Sequence, residues 1–206
     1  MTTRHSRATK VLHGALALAV GTQLLTSLIM QAPRPKHPGN VYFVVHEVSG
    51  LSAALFVLLF WGVVFSRKVG TDVGRLVPWF SAARWQALAD DAGVLWRTKC
   101  QHHLLRFAEA SPFSAALHGL GLLLMTAMAG TGLIYELASV VGFQDPLVVE
   151  WSMAAHSLLA NLIWVYLIGH GLMALQHHYG GDQDLRVMWS LGRTEPSEGT
   201  EHGPQR

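Results

Sequence analysis

The chain has 206 residues, half of them apolar and only 14% charged, which is too apolar for an ordinary soluble domain of this length. A net charge of +2 gives nucleic-acid binding no electrostatic support. The single cysteine, Cys100, excludes an intramolecular disulfide, a C-x-x-C-H covalent haem attachment and a cysteine-ligated iron–sulfur cluster.

Four stretches reach the roughly 20 mainly apolar residues that a membrane-spanning helix needs. The first runs from about Val11 to Met30 and the second from about Val41 to Phe65. Between them, Gln31 to Asn40 holds three prolines and a glycine and must turn the chain. Span one reads as a retained helix rather than a cleaved signal peptide, because its apolar run exceeds the roughly 7–15 residues of such a segment. The segment from Ser66 to Ser111 is too polar to span. Its Pro78-Trp79-Phe80, Trp85 and Trp96 suggest a helix lying on the cytoplasmic interface, where indole rings settle. The third span covers about Phe113 to Ala138, and the fourth about Pro146 to Gln176. Ser111-Pro112 and Asp145-Pro146 each read as an N-cap followed by proline at the first helical position, and Gly180-Gly181 as a helix end. Residues 1–192 form one four-helix transmembrane domain on this reading. The Glu-, Gly- and Pro-rich tail, residues 193–206, is expected to be disordered and cytoplasmic.

Lysine and arginine set the orientation. Arg4, Arg7 and Lys10 precede span one, and seven basic residues from Arg67 to Arg106 separate spans two and three. The opposite side has only Arg34 and Lys36. Both termini are therefore expected in the cytoplasm.

His156 and His170 lie 14 residues apart in the fourth span, with no Asp, Glu, Lys or Arg between them. At about 100° and 1.5 Å per residue, they fall roughly 40° apart on one helix face and ~21 Å apart along it. That face offers an imidazole near each side of a bilayer core ~30 Å thick, a depth at which ionisable groups are costly and usually functional. Depth pairs His46 with His156 towards the outside and His13 with His170 towards the cytoplasm. Each pair could clamp one haem iron from two sides, one haem per leaflet. Gly50, Gly14, Gly169 and Gly171 adjoin these histidines and offer gaps for a porphyrin face, or equally close helix packing. His118 begins span three near the depth of His13 and His170. It could bond a haem propionate, contact a quinone, or replace His13 as ligand. His177 and His178 read as solvated interfacial residues or as the lining of a quinone pocket. His102 and His103 read as loop residues, and His5, His37 and His202 as solvent-exposed.

These residues resemble the bacterial cytochrome b561 family and the related cytochrome b subunits of formate dehydrogenase and nickel–iron hydrogenase. The motifs are Lys10-Val11-Leu12-His13, His46-x-x-x-Gly50, and His156 followed after thirteen residues by His170 and then Ala174-Leu175-Gln176-His177-His178-Tyr179. Gly181-Asp182 leading to Arg186-Val187-Met188 is a further match. Met128-Ala129-Gly130-Thr131-Gly132 is similar to the family's Met-Pro-x-x-Gly, with alanine in place of proline. The similarity covers roughly residues 8 to 190.

The resemblance implies an all-α, four-helix membrane bundle in the bacterial plasma membrane. It implies two b-type haems, bis-histidine ligated, that move electrons across the membrane to or from a quinone. The long segment between spans two and three is closer to the dehydrogenase and hydrogenase subunits than to stand-alone cytochromes. It points to a subunit with a periplasmic or membrane-attached redox partner; a chain acting alone and a homodimer are the alternatives. The chain has no flavin, molybdenum or nickel motif, so substrate oxidation would belong to such a partner. Two other functions compete: a metal-ion or proton-coupled transporter using intramembrane histidines, and a passive membrane anchor. The first lacks the acidic partners and broken helices such transporters show.

Overall fold

The computed structural model describes residues 6–66, 71–102, 111–141 and 145–179. These form helices α1 (Arg7–Ser27), α2 (Val41–Ser66), α3 (Val73–Leu76), α4 (Ala82–His102), α5 (Pro112–Val141) and α6 (Pro146–Tyr179), with a 3-10 turn at Pro78–Phe80. There is no named strand among the described residues. Helices α1, α2, α5 and α6 are each long and apolar enough to cross a membrane. At about 1.5 Å per residue, α6 is about 50 Å long, more than the ~30 Å hydrocarbon core. It must tilt or project beyond the core.

Helix α1 starts four residues and ends three residues earlier than the apolar run suggests. The Ser6 side chain caps it by accepting from the Thr9 backbone N–H at 3.1 Å, which draws Arg7 and Lys10 into the first turns. At the other end, Asn40 Nδ2 donates to Ile29 O at 3.0 Å, and Asn40 Oδ1 accepts from Gln31 N and Phe43 N. One asparagine thus ties off α1 and caps α2. Between them Arg34 and His37 exchange backbone hydrogen bonds at 2.9 Å, with Lys36 in the left-handed region at φ 68°.

Both expected proline starts are present. Ser111 Oγ accepts from Ser114 N and Asp145 Oδ1 from Leu147 N, each at 3.0 Å. The expected helix end at Gly180-Gly181, the Gly181-Asp182 and Arg186–Met188 motifs, His5, His103, His202 and the acidic tail lie outside the described residues.

Helices α1 and α2 pack as one antiparallel hairpin and α5 and α6 as another, with α2 against α5. One apolar cluster joins Val57 and Val64 of α2 to Leu122 of α5 and Leu76 of α3. A second joins Val20 and Leu24 of α1 to Ile163 of α6, flanked by Met125, Met128 and Trp164. Large apolar residues such as Leu18, Leu58 and Val165 point outward, as lipid-facing helices require.

The polar segment between α2 and α5 contains the expected helix, α4, and adds the short α3 docked on α5. Asp91 Oδ2 accepts from Phe113 N at 3.0 Å, which holds α4 to the start of α5. The α3 contact depends on Gly119, where a side-chain Cβ would run into the Leu76 backbone carbonyl. A carbonyl cannot swing aside as a flexible side chain does. Gly119→Ala is expected to cost about 1–3 kcal/mol as overpacking, read as a lower unfolding temperature in detergent. An unchanged unfolding temperature would show that the α3 contact does not hold the bundle.

Candidate functional site

Chain direction alone forces two layers of histidines. Helices α1 and α5 run one way and α2 and α6 the other, so residues early in α2 and α6 share an end of the bundle. Residues early in α1 and α5 share the opposite end with the close of α6. His46 and His156 accordingly meet at the end holding the α1–α2 turn, their ring centres 6.4 Å apart and their planes at 72°. His13 and His170 meet at the end holding α4, with ring centres 6.3 Å apart and planes at 50°. All four are side chains of spanning helices, not of loops.

The ring separations have a chemical meaning. Two metal–imidazole bonds of about 2 Å, each nitrogen about 1 Å from its ring centre, put two facing rings about 6 Å apart. Both pairs fall close to that separation.

Each ring of the first pair is held by a threonine. Thr26 Oγ1 lies 3.1 Å from His46 Nδ1, and Thr131 Oγ1 lies 2.9 Å from His156 Nδ1. The hydroxyl protons are already used, since Thr26 donates to Thr22 O at 2.7 Å and Thr131 to Met128 O at 2.9 Å. With its proton on a carbonyl of its own helix, each threonine oxygen accepts and each histidine donates from Nδ1–H. That tautomer leaves Nε2 of both rings as a lone-pair donor, the form a metal ligand needs. Neither threonine stands out in the sequence. The only signal is depth, because each lies on a neighbouring helix at the level of the histidine it serves.

Other groups steady the same end. The Gln23 side-chain amide donates to His46 O and to Ser49 Oγ, the latter at 2.7 Å, and Ser152 Oγ donates to Thr131 O at 2.9 Å. Gly50 faces this amide: a Cβ there would sit 3.2 Å from Gln23 Nε2. The structure thus puts Gly50 where α1 and α2 approach closely. Around Gly169 and Gly171 there is open space.

At the α4 end a third imidazole joins. The His118 ring stands perpendicular to that of His170, with centres 5.5 Å apart, and its Nδ1 donates to Ser114 O at 2.7 Å. Tyr166 stacks on His170, nearly parallel at 14° and with 5.6 Å between ring centres. Gly121 gives this tyrosine its room, since a Cβ there would strike the phenol. Sequence reading missed Tyr166, although it sits one turn before His170 on the same face. His178 reaches Tyr179, with ring centres 5.5 Å apart, and His37 lies in the exposed turn. The side chains of His102 and His177 lie outside the described residues.

Gly132 abuts the first pair: a Cβ would lie 3.3 Å from His156 Cε1, whereas nothing lies within 4 Å of one at Gly130. Gly132→Val should displace the His156 ring and destabilise the bundle by about 1–3 kcal/mol, with Gly130→Val much milder. Paired unfolding measurements in detergent check this, and equal losses from the two changes would contradict the placement of His156.

The profile of one protein family, described as prokaryotic cytochrome b561, matches residues 4–191. Neither the curated proteins nor the solved structures give a match.

Proposed function

The chain belongs to the prokaryotic cytochrome b561 family, and on that premise we propose that it is a di-haem cytochrome carrying electrons across the membrane to or from a quinone. The family makes it a multi-pass plasma-membrane protein and a b-type haem cytochrome of electron transfer. The number of haems, their ligands and the partners are our reading. The observation that carries it is the pair of ring separations, 6.3 and 6.4 Å, in two layers joined by one helix.

In this reading His46 and His156 hold one haem and His13 and His170 the other. The lone pairs left on Nε2 by the threonine hydrogen bonds fit the first site to a metal. When bound, haem supplies a one-electron iron couple, and two protein nitrogens on each iron suit electron transfer better than binding of a small gas. The helices contribute fixed ligand positions and an apolar wall. Val20, Leu24, Ile163 and Trp164 fill the level between the layers and exclude water from it.

His118 is not a ligand in this reading. Its Nδ1 is taken by Ser114 O, and its ring stands perpendicular to that of His170 with centres 5.5 Å apart. It is left to bond a propionate or a quinone beside the second haem. Arg4, Arg7 and Lys10 at the start of α1, with the basic residues between α2 and α5, support a cytoplasmic α4 end. Phe80, Trp85 and Trp96 are 93%, 50% and 68% exposed, which suits α4 and its preceding turn to the membrane interface. In this reading the chain works alone, as a homodimer, or beside a periplasmic or membrane-attached redox subunit. Oxidation of any primary substrate lies outside this chain.

His156→Leu should remove one haem and leave the other with its spectrum intact, and His170→Leu should do the reverse. Absorbance and haem content of the purified variants read the result. Equal loss of both spectral components from either substitution would argue against two separate sites.

A further inference from the structure

We propose that Thr26 and Thr131 are positioning residues that set the tautomer, ring orientation and electron donation of His46 and His156, and so the reduction potential of the haem between them. This inference rests on the assignment of that histidine pair as haem ligands.

The two threonines do the same job from different helices. Thr26 of α1 holds a histidine of α2, and Thr131 of α5 holds a histidine of α6, so each helical hairpin carries its own brace. Both are fixed on their own helices, Thr26 by Thr22 O and Thr131 by Met128 O. Thr26 is 7% exposed, and the Thr131 carbonyl is held by Ser152, itself 7% exposed. A hydroxyl so committed can only accept. It fixes Nδ1–H, and a hydrogen bond at that position makes the opposite nitrogen a stronger donor to iron. A neutral hydroxyl does this more weakly than a carboxylate would.

The hydrogen bonds also fix the rings in rotation. A 72° angle between the His46 and His156 planes holds only while each Nδ1 is anchored. Valine matches threonine in shape and removes the acceptor. The buried Nδ1–H then loses the threonine oxygen and is left with a backbone carbonyl, that of Gln23 for His46 and of Met128 for His156. Ferric iron loses electron donation, and the potential of that haem should rise.

The test is a potentiometric titration of the purified full-length protein with low-temperature EPR of its ferric form, on Thr26→Val, Thr131→Val and the serine variants at both positions. Thr126→Val is the control, since Thr126 bonds Trp61 and its own helix, not a histidine. We expect one of the two redox steps to move upward in each valine variant. The change should approach tenfold in the reduction equilibrium, which for one electron is about 59 mV. The EPR signal of that haem should change, serine should restore both readouts, and the control should leave both steps in place. Two haems retained with both steps and the EPR unchanged in the valine variants would overturn the proposal. If valine expels a haem, serine decides: retention at the parental potential supports the proposal, and loss with serine too refutes it. A parent protein purified without haem would instead refute the ligand assignment, and this inference with it.

Discussion

An imidazole inside a bilayer is costly unless something answers it, and four of them at two levels organise this bundle. Lipid tails are as apolar as leucine, so burying aliphatic side chains gives membrane helices little reason to choose one packing over another. Polar groups do the choosing. The Thr26–His46 contact ties α1 to α2, the Thr131–His156 contact ties α5 to α6, and the ring pairs set His46 and His13 opposite two residues of α6. The Trp61–Thr126 hydrogen bond adds a tie between α2 and α5, whereas apolar contacts such as Val57 with Leu122 or Leu24 with Ile163 specify little on their own.

The two hairpins also divide the labour. Within each hairpin the helices lie close, as Gly50 against Gln23 and Gly121 against Tyr166 illustrate. Between α6 and the first hairpin, side chains rather than backbones bridge the distance, and the ring pairs lie there. A planar cofactor needs two rigid walls held apart by a fixed gap, and paired hairpins provide that more readily than four equally close helices.

Most of this was legible because membrane helices leave the sequence few choices. Length and apolarity located the spans, and chain direction then sorted His46 and His156 to one end and His13 and His170 to the other. Proline after Ser111 and Asp145 marked two starts to the residue. The limits of α1 were not visible, because they depend on the Ser6 cap and on Asn40 reaching back from α2, and neither alters the apolar run. The short α3 was missed for a similar reason: beyond the Asp72 cap it rests on a tertiary contact at Gly119. Thr26, Thr131 and Tyr166 escaped because a threonine or tyrosine in an apolar helix reads as ordinary filler. Their roles come from which neighbour faces them across a hairpin.

Haem quantitation with a reduced-minus-oxidised spectrum of the purified chain tests the central claim most directly. The account predicts a red protein with a b-type spectrum and two haems for each chain. A folded protein that is colourless, or that carries zinc or copper in place of haem iron, would contradict it.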